Sequence, residues 1–126
     1  MNTTELKLLN TLRVMVYHAD GLKKNDITRL TNIATNYAEK LHHEIGIDKR
    51  DIRLPQIDTK LFMKRLKPTD IKNKNLKAAK QTQFAFAKDC AHLMVIAKDA
   101  IHFRDTYQDL LYHIHTIQEY AMAELA

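Results

Sequence analysis

The sequence has little of what a sheet or a disulfide-stabilised domain needs. Its 126 residues include only two glycines and two prolines, the residues on which tight turns depend. Abundant Ala, Leu, Lys and Gln favour long helices instead. The single cysteine, Cys90, cannot form an intramolecular disulfide, and there is no cysteine pair for a zinc site. The sequence predicts one helical domain over residues 1–126, with a core that needs no disulfide or metal.

Long apolar runs are also missing. The longest covers residues 93–97, whereas a membrane-spanning helix needs about 20 apolar residues. The first ten residues contain Glu5 and no apolar stretch of the length that a secretory signal requires. We therefore expect a chain without a membrane association that works in a reducing, cytoplasmic setting.

Apolar residues at helical spacing predict an all-α fold, a compact bundle of four main helices plus one short helix. The first helix should be capped by Asn2 and closed by Gly21. The second should begin at Asn25 or Asp26 and stop at Gly46.

Residues 47–58 break the helical pattern and are expected to form a connector. A short helix is predicted between Asp58 and Pro68. A long third main helix should start between Thr69 and Asn75, either of which is a suitable cap.

Residues 84–97 are apolar on nearly every side, which is typical of the central helix of a bundle. We expect two buried rows along it: Ala79, Phe86, Cys90, Leu93, Ala97 and Ala100 in one, and Ala87, Ala91, Met94 and Ile101 in the other. Asp105 and Gln108 have capping-box spacing and predict a break near residues 103–105. One unbroken helix of about 50 residues is the alternative, because no proline or glycine enforces a stop.

Positive charge is concentrated in residues 49–80, the basic region. It carries eleven bases and three acids, a net charge of +8, whereas residues 1–48 are neutral and residues 81–126 carry −3. The eleven bases are Lys49, Arg50, Arg53, Lys60, Lys64, Arg65, Lys67, Lys72, Lys74, Lys77 and Lys80. A local field of this sign attracts polyanions, of which phosphate backbones are the commonest.

Within the basic region, a helix over residues 70–80 would align Lys72, Lys77 and Lys80 as one ridge. The neighbouring aromatic residues are expected in the core rather than on a base-stacking surface: Phe62, Phe84 and Phe86. Nothing in the region resembles a base-reading motif, so contacts of low sequence specificity are predicted. A solvated face that keeps the protein soluble is the alternative reading.

A helix-turn-helix unit is an alternative for residues 23–46, with its turn at Ala34 and Thr35. Such turns often contain glycine, and this stretch has none before Gly46. The apolar stripe continues through the expected turn without a change of phase. One continuous helix is therefore favoured.

Seven histidines invite a metal-site hypothesis. His42, His43 and Glu44 resemble the His-His-Glu label of hemerythrin-like iron bundles. Consecutive helical residues point about 100° apart, however, so these three cannot converge on one ion. His92 lies in the apolar stretch and is expected to be a core histidine. The sequence predicts no metal site and no cofactor.

Arg13 and His18 have the Arg-x4-His spacing of HEPN ribonucleases, in which Arg binds phosphate and His transfers a proton. About one such match is expected by chance in this composition, and that family carries its motif late in the bundle. Phosphate-binding glycine loops and the Gly-x-Ser-x-Gly nucleophile motif are absent, since only Gly21 and Gly46 exist. Cys90 lies in the most apolar stretch, where burial disfavours a nucleophilic thiolate.

The leading hypothesis is a non-enzymatic accessory protein that contacts the phosphate backbone of DNA or RNA through the basic region, alone or within a larger complex. The alternative is a protein-interaction module, such as an immunity, adaptor or regulatory subunit, that docks an acidic protein. A ribonuclease or metal-dependent enzyme is the third class. Oligomerisation is compatible with the sequence.

Overall fold

The computed structural model describes residues 2–48 and 75–125, which form four α-helices and no β-strand. The helices are α1 (Thr3–Tyr17), α2 (Lys24–Asp48), α3 (Leu76–Ile96) and α4 (Ala100–Glu124). All six pairs of helices contact one another, and α3 and α4 share the most extensive contact. The all-α bundle is confirmed. The predicted short helix between Asp58 and Pro68 lies outside the described residues.

Two asparagines begin helices where the sequence predicts them. Asn2 Oδ1 accepts hydrogen bonds from the amides of Thr4 and Glu5 at 2.8 and 3.2 Å. Asn75 Oδ1 accepts one from the amide of Ala78 at 3.2 Å, and α3 follows directly. Amides in the first turn have no carbonyl partner inside the helix, so each cap supplies one.

The first helix ends before Gly21, not at it. Its last residue is Tyr17, and His18 is the C-cap. Gly21 occupies a turn in which the Leu22 amide donates to the Ala19 carbonyl at 3.0 Å, and its φ is 81°. Glycine enters this left-handed region without steric cost, so Gly21 reverses the chain between α1 and α2. Leu22 packs against the core as predicted.

The second helix is continuous, and the helix-turn-helix alternative is wrong. No turn interrupts it at Ala34 and Thr35, and Ala34 is fully buried. The helix also runs through Gly46 and two residues beyond, where the sequence predicts a stop and a connector. A glycine inside a helix costs only about 1 kcal/mol. Ile45, directly before it, is buried and anchors the last turns.

The break between α3 and α4 exists, but it lies at residues 97–99 rather than at 103–105. Asp99 caps α4, and its Oδ1 accepts a hydrogen bond from the His102 amide at 2.7 Å. Asp105 is an exposed residue inside α4. The alternative of one unbroken helix is also wrong. The chain reverses before Phe103 because that ring is fully buried in the bundle core.

The core runs along the bundle axis, and α3 contributes one buried row to it: Phe84, Ala87, Ala91 and Met94. The other predicted row is confirmed only in part: Ala97 is buried and Cys90 is partly buried, whereas Phe86 is 48% and Leu93 36% exposed. Ile101 is 65% exposed, and His92 is exposed rather than buried. Among the described residues, neighbours cover only one side of α3, and periodicity cannot identify that side in a helix that is apolar all round. No helix in these ranges is long and apolar enough to cross a bilayer.

Candidate functional site

Nine of the eleven predicted contact residues lie outside the described residues: Lys49, Arg50, Arg53, Lys60, Lys64, Arg65, Lys67, Lys72 and Lys74. Residues 49–74 carry nine bases and three acids, a net charge of +6. The described residues, 2–48 and 75–125, carry eleven bases and twelve acids, a net charge of −1. The excess positive charge therefore belongs to residues 49–74, and the helical body is nearly neutral.

Lys77 is exposed in the first turn of α3, as the prediction requires. It follows the Asn75 cap by two residues, so it lies only three residues after residues 49–74 in the sequence. It forms no ion pair with any residue in the described part of the chain. Its ammonium group is accessible to an anionic ligand.

Lys80 is buried, so its predicted place on the basic surface is wrong. Its Nζ donates a hydrogen bond to the Met15 carbonyl at 2.8 Å and lies 3.2 Å from Glu124 Oε1. The Met15 carbonyl is in the last turn of α1, where carbonyls lack amide partners. That turn has no base of its own. The Lys80 ammonium stabilises this negative helix end and a carboxylate at the end of α4.

Aromatic and basic side chains meet where α1 packs on α3. The Arg13 guanidinium carbon lies 5.4 Å from the centre of the Phe84 ring, and Arg13 Nη1 donates to Asn10 Oδ1 at 2.6 Å. The Tyr17 ring meets Phe84 edge-on, with centroids 5.7 Å apart and planes at 88°. Phe84 is buried, whereas Tyr17 is 50% exposed. Phe84 thus supports two side chains that remain accessible.

The contacts show that α1 and α3 run antiparallel at this place. Lys80, in the second turn of α3, contacts Met15 in the last turn of α1 and Glu124 at the end of α4, so α3 begins where α1 ends. Phe84, one turn later in α3, contacts both Arg13 and Tyr17. One side of α3 carries residues spaced three or four apart: Lys77, Gln81, Phe84 and Lys88. The two lysines among them are exposed. We define the α1–α3 face as Arg13, Tyr17, Lys77, Gln81, Phe84 and Lys88.

Sequence reasoning missed Tyr17 and considered Arg13 only as part of a ribonuclease motif. One signal was present, because α1 has a stripe at helical spacing beside its apolar face: Leu6, Asn10, Arg13 and Tyr17. The stripe alone does not show which other helix lies beside it. Of the three aromatics expected in the core, Phe84 is confirmed, Phe86 is exposed, and Phe62 lies outside the described residues.

Arg13 and His18, the residues of the ribonuclease motif, make different contacts. Arg13 is held by Asn10 and α3, and His18, the C-cap of α1, takes no part in those contacts. Within residues 2–48 and 75–125, no group of three or more His, Cys, Asp or Glu could hold a metal ion. Burial, with smaller effects from Asp109 and Asp89, raises the pKa of the Cys90 thiol to about 11. A neutral thiol of this kind is a poor nucleophile at pH 7.

His42 and Glu44 point to different neighbours, which explains why they form no ligand set. The His42 ring lies against Tyr107 and Phe103 of α4, with centroid distances of 4.4 and 5.0 Å. Glu44 Oε1 accepts a hydrogen bond from the Thr4 hydroxyl at 2.9 Å. The Nε2 atom of His42 is buried without a hydrogen-bond partner. Burial lowers the pKa of His42 below its ordinary value, with a smaller effect from its neighbour in sequence.

Comparisons with protein-family models, with curated proteins and with solved structures found no match for this chain. No relative therefore assigns a role to the basic region or to the α1–α3 face. The charge and geometry of the chain's own residues carry the functional proposal.

Proposed function

We propose that this chain binds the phosphate backbone of nucleic acids, without catalysing a reaction, and that the basic region supplies most of the contacts. The observation that carries the proposal is the separation of charge between residues 49–74, at +6, and the helical body, at −1. A solubilising charge needs no such separation, whereas a concentrated positive field attracts a polyanion and speeds its encounter. Lysine, the commoner base in this region, suits phosphate as a mobile point charge.

One feature of the described residues supports the proposal, and another reduces the number of expected contacts. Lys77 extends the positive charge onto the first turn of α3, where it is exposed and unpaired with any described carboxylate. The burial of Lys80 reduces the ridge of three lysines to Lys72 and Lys77, so the expected contacts number ten rather than eleven. Backbone contacts of this kind position a nucleic acid but do not read its sequence.

Fluorescence anisotropy with short single- and double-stranded DNA and RNA tests the proposal. We expect binding at 50 mM salt that weakens steeply as salt increases, since each neutralised phosphate releases counterions. Even three phosphate contacts on duplex DNA would give a loss of about 40-fold between 50 and 200 mM salt, and each further contact would multiply that loss by about 3.5.

The test variant changes Lys72, Lys74 and Lys77 to Glu and leaves Lys80 intact, because Lys80 is part of the core. Its matched control changes three exposed lysines elsewhere to Glu: Lys7, Lys24 and Lys98. Both variants shift the net charge equally. Loss of binding in the test variant but not in the control supports the proposal. Equal losses in both would show that binding depends on net charge alone and would contradict a role for the basic region.

The alternative function is a protein-interaction module that docks an acidic partner. The same charge favours it, because a carboxylate-rich surface also satisfies clustered lysines. Absence of binding to every oligonucleotide at 50 mM salt would favour this alternative over nucleic-acid binding.

A further inference from the structure

We propose that the α1–α3 face binds single-stranded nucleic acid, with a base stacked on Tyr17 and phosphates held by Arg13, Lys77 and Lys88. This inference rests on the proposed function and adds a ligand class to it. Its basis is the juxtaposition of one exposed aromatic ring with three bases along a single pair of antiparallel helices.

Tyr17 has the properties of a stacking platform. Its ring is 50% exposed, yet its edge-on contact with the buried Phe84 ring fixes its orientation. Tyr17 is also the last residue of α1, so no further turn of that helix covers it. Every base has a π-face, and stacking on such a ring is therefore tolerant of sequence. This matches the low sequence specificity expected of the basic region.

Helical spacing places the three bases along the two helices that hold this ring. Arg13 precedes Tyr17 by one turn of α1, and its contacts with Asn10 and Phe84 orient the guanidinium. Arginine has five N–H donors, so one bond to Asn10 leaves donors for a phosphate. Lys77 and Lys88 mark the two ends of the face, about 16 Å apart along α3. That length corresponds to about five stacked nucleotides at roughly 3.4 Å each.

No carboxylate opposes the bases on these two helices. The acids of α1 and α3 are Glu5 and Asp89. Glu5 is 3% exposed. Asp89 lies about 140° around α3 from Phe84, on the opposite side of the helix. The acids of these two helices therefore do not share the α1–α3 face with its bases. Glu124 of α4, which lies near the same end of these helices, is paired with Lys80 at 3.2 Å.

A duplex fits this arrangement poorly. Its bases are stacked on one another, and a base reaches a side chain on a convex helical surface only after it leaves the stack. Unstacking costs free energy in a duplex, whereas unpaired bases in a single strand are free to stack on an aromatic ring. We therefore expect preference for single strands in addition to the general attraction of the basic region.

The test compares a 15-nucleotide oligothymidine with an abasic oligonucleotide of equal length and with a duplex. The abasic strand keeps the phosphates and lacks the bases, so it isolates stacking from charge. We expect the intact protein to bind oligothymidine about 5- to 150-fold more tightly than the abasic strand, the range that one base–aromatic stack contributes. Tyr17→Leu should reduce this ratio of affinities to about one and leave the affinity for the abasic strand unchanged. Tyr17→Phe should retain the ratio of the intact protein.

Tyr112→Leu is the matched control, since Tyr112 is a 37% exposed tyrosine on α4, outside the α1–α3 face. It should leave the ratio unchanged, and circular dichroism checks that all variants are folded. Equal affinity of the intact protein for intact and abasic strands, with steep salt dependence, would overturn this inference and leave the proposed function standing. No binding to any strand would overturn both.

Discussion

Replacing the buried Lys80 with methionine should destabilise the fold, although it removes a charge from an apolar interior. Lys80 is 1% exposed, and methionine can fill most of the space of its aliphatic stem. What is lost is the ammonium group, 2.8 Å from the Met15 carbonyl and 3.2 Å from Glu124. Leaving that buried carbonyl unpaired costs about 1–3 kcal/mol. The Glu124 side chain is 29% exposed, so its carboxylate can be hydrated after the substitution and adds little to this free-energy cost.

For Lys80→Met we therefore expect the free energy of unfolding to fall by about 1–3 kcal/mol. In a chain of this length, such a loss lowers the melting temperature by about 4–11 °C. Lys80→Ala also deletes the packed stem and leaves a cavity, and the expected loss rises to about 3–5 kcal/mol.

Urea denaturation followed by circular dichroism at 222 nm measures these losses. Lys77→Met is the matched control, because Lys77 lies one turn away on the same helix and is exposed. A substitution at such a position should change stability by no more than about 0.5 kcal/mol. If Lys80→Met proves as stable as Lys77→Met, the ammonium does not stabilise the ends of α1 and α4, and the reasoning is refuted.

Two further predictions concern a buried ring and a helix cap. Because burial lowers the pKa of His42 below its ordinary value of 6.5, the unfolded chain takes up a proton more readily than the folded one. The contribution of His42 to the free energy of unfolding is therefore fully present above about pH 6.5, and it is lost as the pH falls from there towards the pKa of the folded state. His42→Phe should flatten this decline in urea midpoints compared between pH 7.5 and 5, and an unchanged slope would contradict the assignment. Asp99→Ala should lower the free energy of unfolding by about 1 kcal/mol, whereas Asp105→Ala, inside α4, should have little effect. The reverse order in urea midpoints would place the cap at Asp105.

Much of the fold follows from short-range sequence signals. Asn2 and Asn75 each precede a helix-forming stretch, and each accepts hydrogen bonds from the amides that follow it. The stripe through α2 keeps its phase across Ala34, which is why one continuous helix is the correct reading. Such features depend on residues within one or two turns of each other, so periodicity and capping chemistry suffice to predict them.

Boundaries without an enforcing residue were less predictable. Both Asp99 and Asp105 are acceptable caps, and their local surroundings do not rank them. The choice depends on which break allows Ala97 and Phe103 to enter the same core, where both are buried. Gly46 does not end α2, because burial of Ile45 before it outweighs the small free-energy cost of a glycine in a helix. Here too, burial in the core decides where the helix ends.

Residue type and spacing alone predicted an all-α fold and the concentration of positive charge in residues 49–80, because helix propensity, periodicity and charge are properties of the residues and their order. Only the tertiary structure decided that Lys80 is an interior residue and that Arg13 and Tyr17 share a face with α3. Both outcomes depend on how α1 lies against α3, with contacts between residues separated by 65 positions or more in the chain. Helical periodicity specifies which residues share a side of one helix, but packing among helices specifies what that side meets.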